Sequence, residues 1–123
     1  MKLELIYLKP DSTFSLHIEE WAKNRGIETM EYDLKSEEIV VDGLLLINEN
    51  QTIEKEMEEI HTLFDMKHIP TQKIDINGTL QVALSNYQMW QSNFKCKSIL
   101  ILGSDNLIKN KNLDRFLSKI KAK

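Results

Sequence analysis

Two stretches of this chain are apolar from end to end: GLLLIN at 43–48 and SILILGS at 98–104. A strand with one wet face alternates apolar and polar residues, and these do not. Runs of this length and kind are strands covered on both faces, as in a parallel sheet between helices. The rest of the sequence has to supply those helices.

It does so in order. LELIYL (3–8) reads as a strand, stopped by Pro10, with Asp11 or Ser12 placed to cap a helix. Phe14, Ile18, Trp21 and Ala22 form one helical stripe, and Gly26 ends it. IETMEYDL (27–34) alternates like a half-exposed strand near an edge. KSEEIVV (35–41) is too short for a crossover helix, so a single turn or an irregular link is expected. After GLLLIN, a helix capped at Thr52 carries Ile53, Met57, Ile60 and Phe64. TQKIDI (71–76) is the fourth strand.

The chain then runs DINGTLQVALSNYQMW (75–90). Asn77-Gly78 between apolar alternations is a strong hairpin signal. Yet the alternation fails at Ser85-Asn86, while Leu80, Ala83, Leu84, Tyr87, Trp90 and Phe94 continue at helical spacing for four turns. The helix is the better reading, capped by Asn77 or Thr79. SILILGS then precedes a final helix with Leu113, Phe116, Leu117 and Ile120 inward, capped by Asn110 or Asn112.

The expected fold is therefore one α/β domain over residues 1–123. It is a three-layer α/β/α sandwich on a mainly parallel five-stranded sheet, in a flavodoxin-like or Rossmann-like order 2-1-3-4-5. The helix between strands two and three is expected to be missing or reduced to one turn. With 123 residues and 41% hydrophobic composition the chain can bury a core without a disulfide or metal staple.

Composition also narrows function. Net charge is −3, which argues against bulk nucleic-acid binding. The lysines of the tail KNKNLDRFLSKIKAK read as a solvated helix face. No run approaches the ~20 apolar residues of a membrane span. The single cysteine, Cys96, rules out an internal disulfide and fits a reducing cytoplasm. No phosphate-binding glycine motif occurs among the four glycines, and no cofactor is called for. Asp11, Glu49 and Asp105 could approach one another, as could His61 and Asp65, but neither set is a metal motif, and no metal is expected.

In an open parallel sheet a ligand binds beyond the carboxyl ends of the strands. Four loops lead there, and they supply the candidate crevice: Lys9, Asp11 and Ser12; Asn48, Glu49 and Asn50; Asn77, Gly78 and Thr79; Gly103, Ser104 and Asp105. Helix N-termini starting from these loops would favour a small anionic ligand. The receiver-domain pattern needs acids after strand one, an aspartate ending strand three and a lysine ending strand five. Here the corresponding ends are Lys9-Pro10, Asn48-Glu49 and Gly103, so phosphoacceptor chemistry is not expected. LLINENQTIEKEMEEI resembles the strand-then-glutamate stretch of nucleoside deoxyribosyltransferase-like proteins. That family's nucleophile would map to Glu54 or Glu56, but the small residues expected around it are missing.

The 79–94 helix is apolar over more than one face. Val82, Met89, Trp90 and Phe94 form a candidate interface for a homodimer. Two functions remain: a non-catalytic binding or interaction module that self-associates, or a small enzyme or ligand-binding protein using the crevice. The sequence does not decide between binding and turnover.

Overall fold

The computed structural model describes residues 3–33, 38–50 and 52–120. The elements run β1 (Leu5–Leu8), α1 (Thr13–Asn24), β2 (Glu28–Glu31), β3 (Gly43–Asn48), α2 (Lys55–Met66), β4 (Thr71–Asp75), α3 (Leu80–Phe94), β5 (Ser98–Gly103), a short 3-10 helix (Asp105–Lys109) and α4 (Lys111–Lys119). The five described strands form one sheet, and every pairing is parallel.

The α/β class and the parallel sheet match the sequence reading, but the strand order does not. It is 2-1-5-3-4, not 2-1-3-4-5. The physical reason is burial. Ile99, Leu100, Ile101 and Leu102 of β5 are all sealed from solvent, which a central strand requires and an edge strand does not allow. β4 carries Gln72 and Lys73, tolerable only where one side meets water, and it lies at the edge.

The two faces are covered unequally. Ile6, Leu8, Leu45, Ile47, Ile99 and Ile101 point to the side of α1, α3 and α4, where they meet Phe14, Ile18, Tyr87, Trp90 and Phe116. Leu44, Leu46, Leu100 and Leu102 point to the opposite side, packed by Met57, Ile60 and Phe64 of α2 and by Tyr32 and Val41. Tyr32 and Val41 themselves lie outside any helix, so non-helical residues do part of a helix's covering. Residues 38–42 are not helical. The rest of the expected turn, 35–37, lies outside the described residues.

Helix ends depart from expectation in two places. α2 starts at Lys55 with Glu54 at the N-cap, while Thr52 instead bridges Glu49. α3 starts after Thr79, which settles Asn77-Gly78 as a strand-to-helix turn; Gly78 N–H donates to Asp75 O at 3.3 Å. α1 and α4 are capped as expected, by Ser12 and Asn110. Among the described residues no helix is long and apolar enough to cross a membrane.

Candidate functional site

The expected crevice divides into two halves. At β1 and β5 most of the nominated groups are paired with protein partners, although Ser15 Oγ, on the wall of a second cavity of about 440 Å³, is buried without one. Ser12 Oγ accepts from Ser15 N–H at 3.2 Å and donates to Asp105 Oδ1 at 2.8 Å; Phe14 N–H donates to the same oxygen at 2.8 Å. Those donors, Phe14 N–H first, hold the Asp105 carboxyl below the ordinary carboxylate range. Ser104 Oγ accepts from Asn106 N–H. Lys9 pairs with Glu56 at 2.6 Å, which holds its ammonium above the usual lysine range against the cost of partial burial. Glu56 is thus an ion-pair partner, and Glu54 stands at the N-cap of α2. The face of Gly103 is filled by Phe14: an added Cβ would lie 2.6 Å from the ring. Asp11 is exposed, with φ 57°.

The half at β3 and β4 is open. The chain leaves β3 toward α2 on one face of the sheet and leaves its neighbour β4 toward α3 on the other. Such a reversal opens a crevice at the strand ends. Asn48 and Asp75, the last residues of the two strands, are register partners, so their side chains share one face. Both line a cavity of about 460 Å³, with Gly78 and Thr79 at the start of α3, Ile53, Val82 and Ala83 as apolar wall, and Glu58 and Lys73 at the side of α2. That volume lies within the ~300–1,000 Å³ usual for small-ligand sites.

Asn48 is only 3% exposed, and its Oδ1 has no hydrogen-bond partner. A buried polar atom left unpaired costs about 1–3 kcal/mol. Thr79 makes no side-chain cap bond, so the first N–H groups of the 15-residue α3 also have no side-chain acceptor from their N-cap. Unpaired acceptor and uncapped helix start meet at the same cavity.

The loops around it are braced. Asp75 Oδ1 accepts from Asn50 N–H at 3.0 Å and Asn77 N–H at 2.9 Å, tying the β3 and β4 loops together. Asn50 holds φ 55°, a left-handed conformation that asparagine tolerates. Asn110 Nδ2 donates to Glu49 Oε2 at 2.9 Å and to Asn77 Oδ1 at 2.6 Å, and Asn112 Nδ2 donates to Asn77 Oδ1 at 3.2 Å. Glu49 and Asn77 therefore serve as clamp, while Asn48, Gly78 and Thr79 line the opening.

Charge bears on what could enter. Glu58 and Lys73 pair at 3.7 Å, which leaves the Asp75 carboxylate uncompensated. An anion about 5 Å from it would be repelled by about 3 kcal/mol at an effective dielectric of about 20. The helix N-terminus returns only ~0.3–1 kcal/mol.

The sequence reading missed Asp75, Lys73, Glu58 and Asn110 as site residues. Asp75 had a signal, because it ends a strand just before Asn-Gly, where its side chain can bond backbone N–H groups. Of the expected interface, Val82 (56%), Met89 (61%) and Phe94 (54%) are exposed, but Trp90 is 3% exposed and packs in the core beside Tyr87. Trp90 therefore cannot meet a second chain. Among the described residues no three of His, Cys, Asp and Glu are grouped to hold a metal ion.

Fold and crevice together define a small parallel α/β sandwich with an opening of ligand size at its strand ends. No protein-family model and no curated protein matches the sequence. Among solved structures, the chain is similar in fold to one described as a "putative molybdenum carrier protein" from Syntrophus aciditrophicus. The TM-score is 0.70 at 11% identity, over 94% of this chain and 90% of that one. At that identity the likeness establishes the fold alone.

Proposed function

We propose that this protein binds a small, uncharged polar ligand in the crevice between the carboxyl ends of β3 and β4, without transforming it. The observation that carries this reading is Asn48: a sealed carboxamide whose oxygen lacks a partner, at the wall of a cavity of ligand size. Most buried side-chain polar atoms are paired, because leaving one bare costs stability; the others left bare among the described residues are Ser15 Oγ and Trp90 Nε1. Binding is favoured over turnover because Asp75, the register partner of Asn48, already holds two loop N–H groups on Oδ1. The similar structure, described as a carrier, supports a binding role by its name only.

The test is an amide-resolved NMR titration of the full chain with nucleosides, inorganic phosphate and molybdate. The reading predicts that a nucleoside shifts the signals of Asn48, Gly78 and Thr79 together and that phosphate and molybdate do not. Silence from the nucleosides, a response to the anions alone, or shifts confined to Lys9, Ser12 and Asp105 would contradict it.

A second reading has its own observation. Val82 and Met89 are seven residues apart on one stripe of α3, and each is more than half exposed. Self-association through that stripe would give them cover. Phe94 does not join it, lying roughly 140° round the helix from Met89.

A further inference from the structure

Resting on the crevice reading above, we infer that the ligand is a nucleobase or nucleoside, held by a paired donor and acceptor on the edge of its base. A carboxamide offers one acceptor oxygen and a donor NH₂ side by side. The group complementary to it presents an adjacent donor and acceptor, as a lactam edge or an aminopyrimidine edge does. Asparagine reads bases through this bidentate pairing elsewhere in recognition. Asn48 is buried on the wall of the crevice with its oxygen unpaired, so such a pairing would displace no protein partner of that oxygen.

The rest of the lining agrees with this class. Ile53, Val82 and Ala83 offer apolar surface for a flat ring. Asp75, next to Asn48 in register, has an oxygen with no hydrogen bond among the described residues, able to accept from an exocyclic amino group or a sugar hydroxyl. The N–H groups at the start of α3 can donate to a ring carbonyl. A bare oxyanion has acceptors only. It could use the helix start but would leave Asn48 Oδ1 unpaired and face the Asp75 carboxylate.

Calorimetric titration of the full chain with uridine, inosine, 3-methyluridine, 1-methylinosine, phosphate and molybdate tests the inference. Uridine or inosine should bind, and the methylated partner, whose ring N–H is gone, at least tenfold more weakly. Asn48→Leu, shown folded by its amide spectrum, should bind neither. If phosphate or molybdate binds and Asn48→Leu abolishes that binding while the nucleosides do nothing, the inference is overturned together with the uncharged-ligand reading, and only the place of the site survives. Equal binding of a nucleoside and its methylated form overturns the inference alone. If nothing binds, or if Asn48→Leu binds as the natural protein does, both fall.

Discussion

Ser12 and Asp105 lie 93 residues apart in sequence and 2.8 Å apart in space, and their hydrogen bond fastens the start of α1 to the short 3-10 helix that follows β5. Because Phe14 N–H ends on the same carboxylate oxygen, Asp105 is in effect a second cap for α1, delivered from the start of that 3-10 helix. The folded carboxyl titrates below its unfolded value of about 3.9. Its stabilisation is therefore complete above that pH and is lost as pH falls through the folded value. Asp105 is exposed, so screening limits the effect to about 1 kcal/mol. Melting curves from pH 2.5 to 7 should show Asp105→Asn less stable than the natural protein at neutral pH, with the gap narrowing as the pH falls below the unfolded carboxyl's value of about 3.9. A constant offset down to the lowest pH would contradict this.

Three glycines should respond differently to alanine. At Gly103 the new Cβ would sit 2.6 Å from the buried ring of Phe14, and at Gly43 it would sit 2.7 Å from Cys96 Sγ and 2.8 Å from Trp90. Neither neighbour can swing aside into solvent, so each substitution should cost about 1–3 kcal/mol in denaturant unfolding. At Gly78 the nearest atom is the Asp75 carbonyl oxygen at 3.5 Å, and the backbone is not left-handed. Gly78→Ala should change stability by less than about 0.5 kcal/mol.

Cys96 is sealed beneath Trp90 and Gly43, and burial, aided by Asp42, pushes its thiol up to about 11. The thiolate is the reactive form. A disulfide reagent at pH 8 should therefore label native protein far more slowly than protein in denaturant. Equal rates would place Cys96 at the surface.

Self-association gives a separate prediction. If the α3 stripe is an interface, light scattering should show a dimer that dissociates on dilution, and Met89→Lys should leave a monomer that still melts as the natural protein does. A monomer across the whole range of concentration would remove that reading without touching the crevice.

Much of the fold was legible from pattern. GLLLIN and SILILG announced a doubly covered parallel sheet because a strand with no polar face has nowhere else to go. The stripe from Leu80 to Phe94 outlasted the hairpin signal of Asn77-Gly78, and α3 is indeed a helix. The strand order was also partly encoded: Gln72 and Lys73 mark β4 as an edge, and the unbroken run of β5 marks a centre. The order 2-1-3-4-5 ignored that difference and placed the most apolar strand outermost. The site was less legible. Twelve loop residues were nominated by position alone, and position cannot tell Ser12 and Asp105, which satisfy each other, from Asn48, whose Oδ1 has no partner. That distinction depends on pairings such as Asn48 with Asp75, and these exist only once β3 and β4 are laid side by side.

The proposed crevice site requires that Asn48 give up stability for binding. Replacing it by leucine, of similar size, removes the unpaired oxygen and keeps the volume filled. The decisive measurement is the melting temperature of Asn48→Leu without ligand. Removing a penalty of about 1–3 kcal/mol should raise it by roughly 4 °C or more above the natural protein, and no ligand should raise it further. A lower melting temperature would mean that Asn48 is held by partners of its own and serves the fold, and the account of the crevice would fail with it.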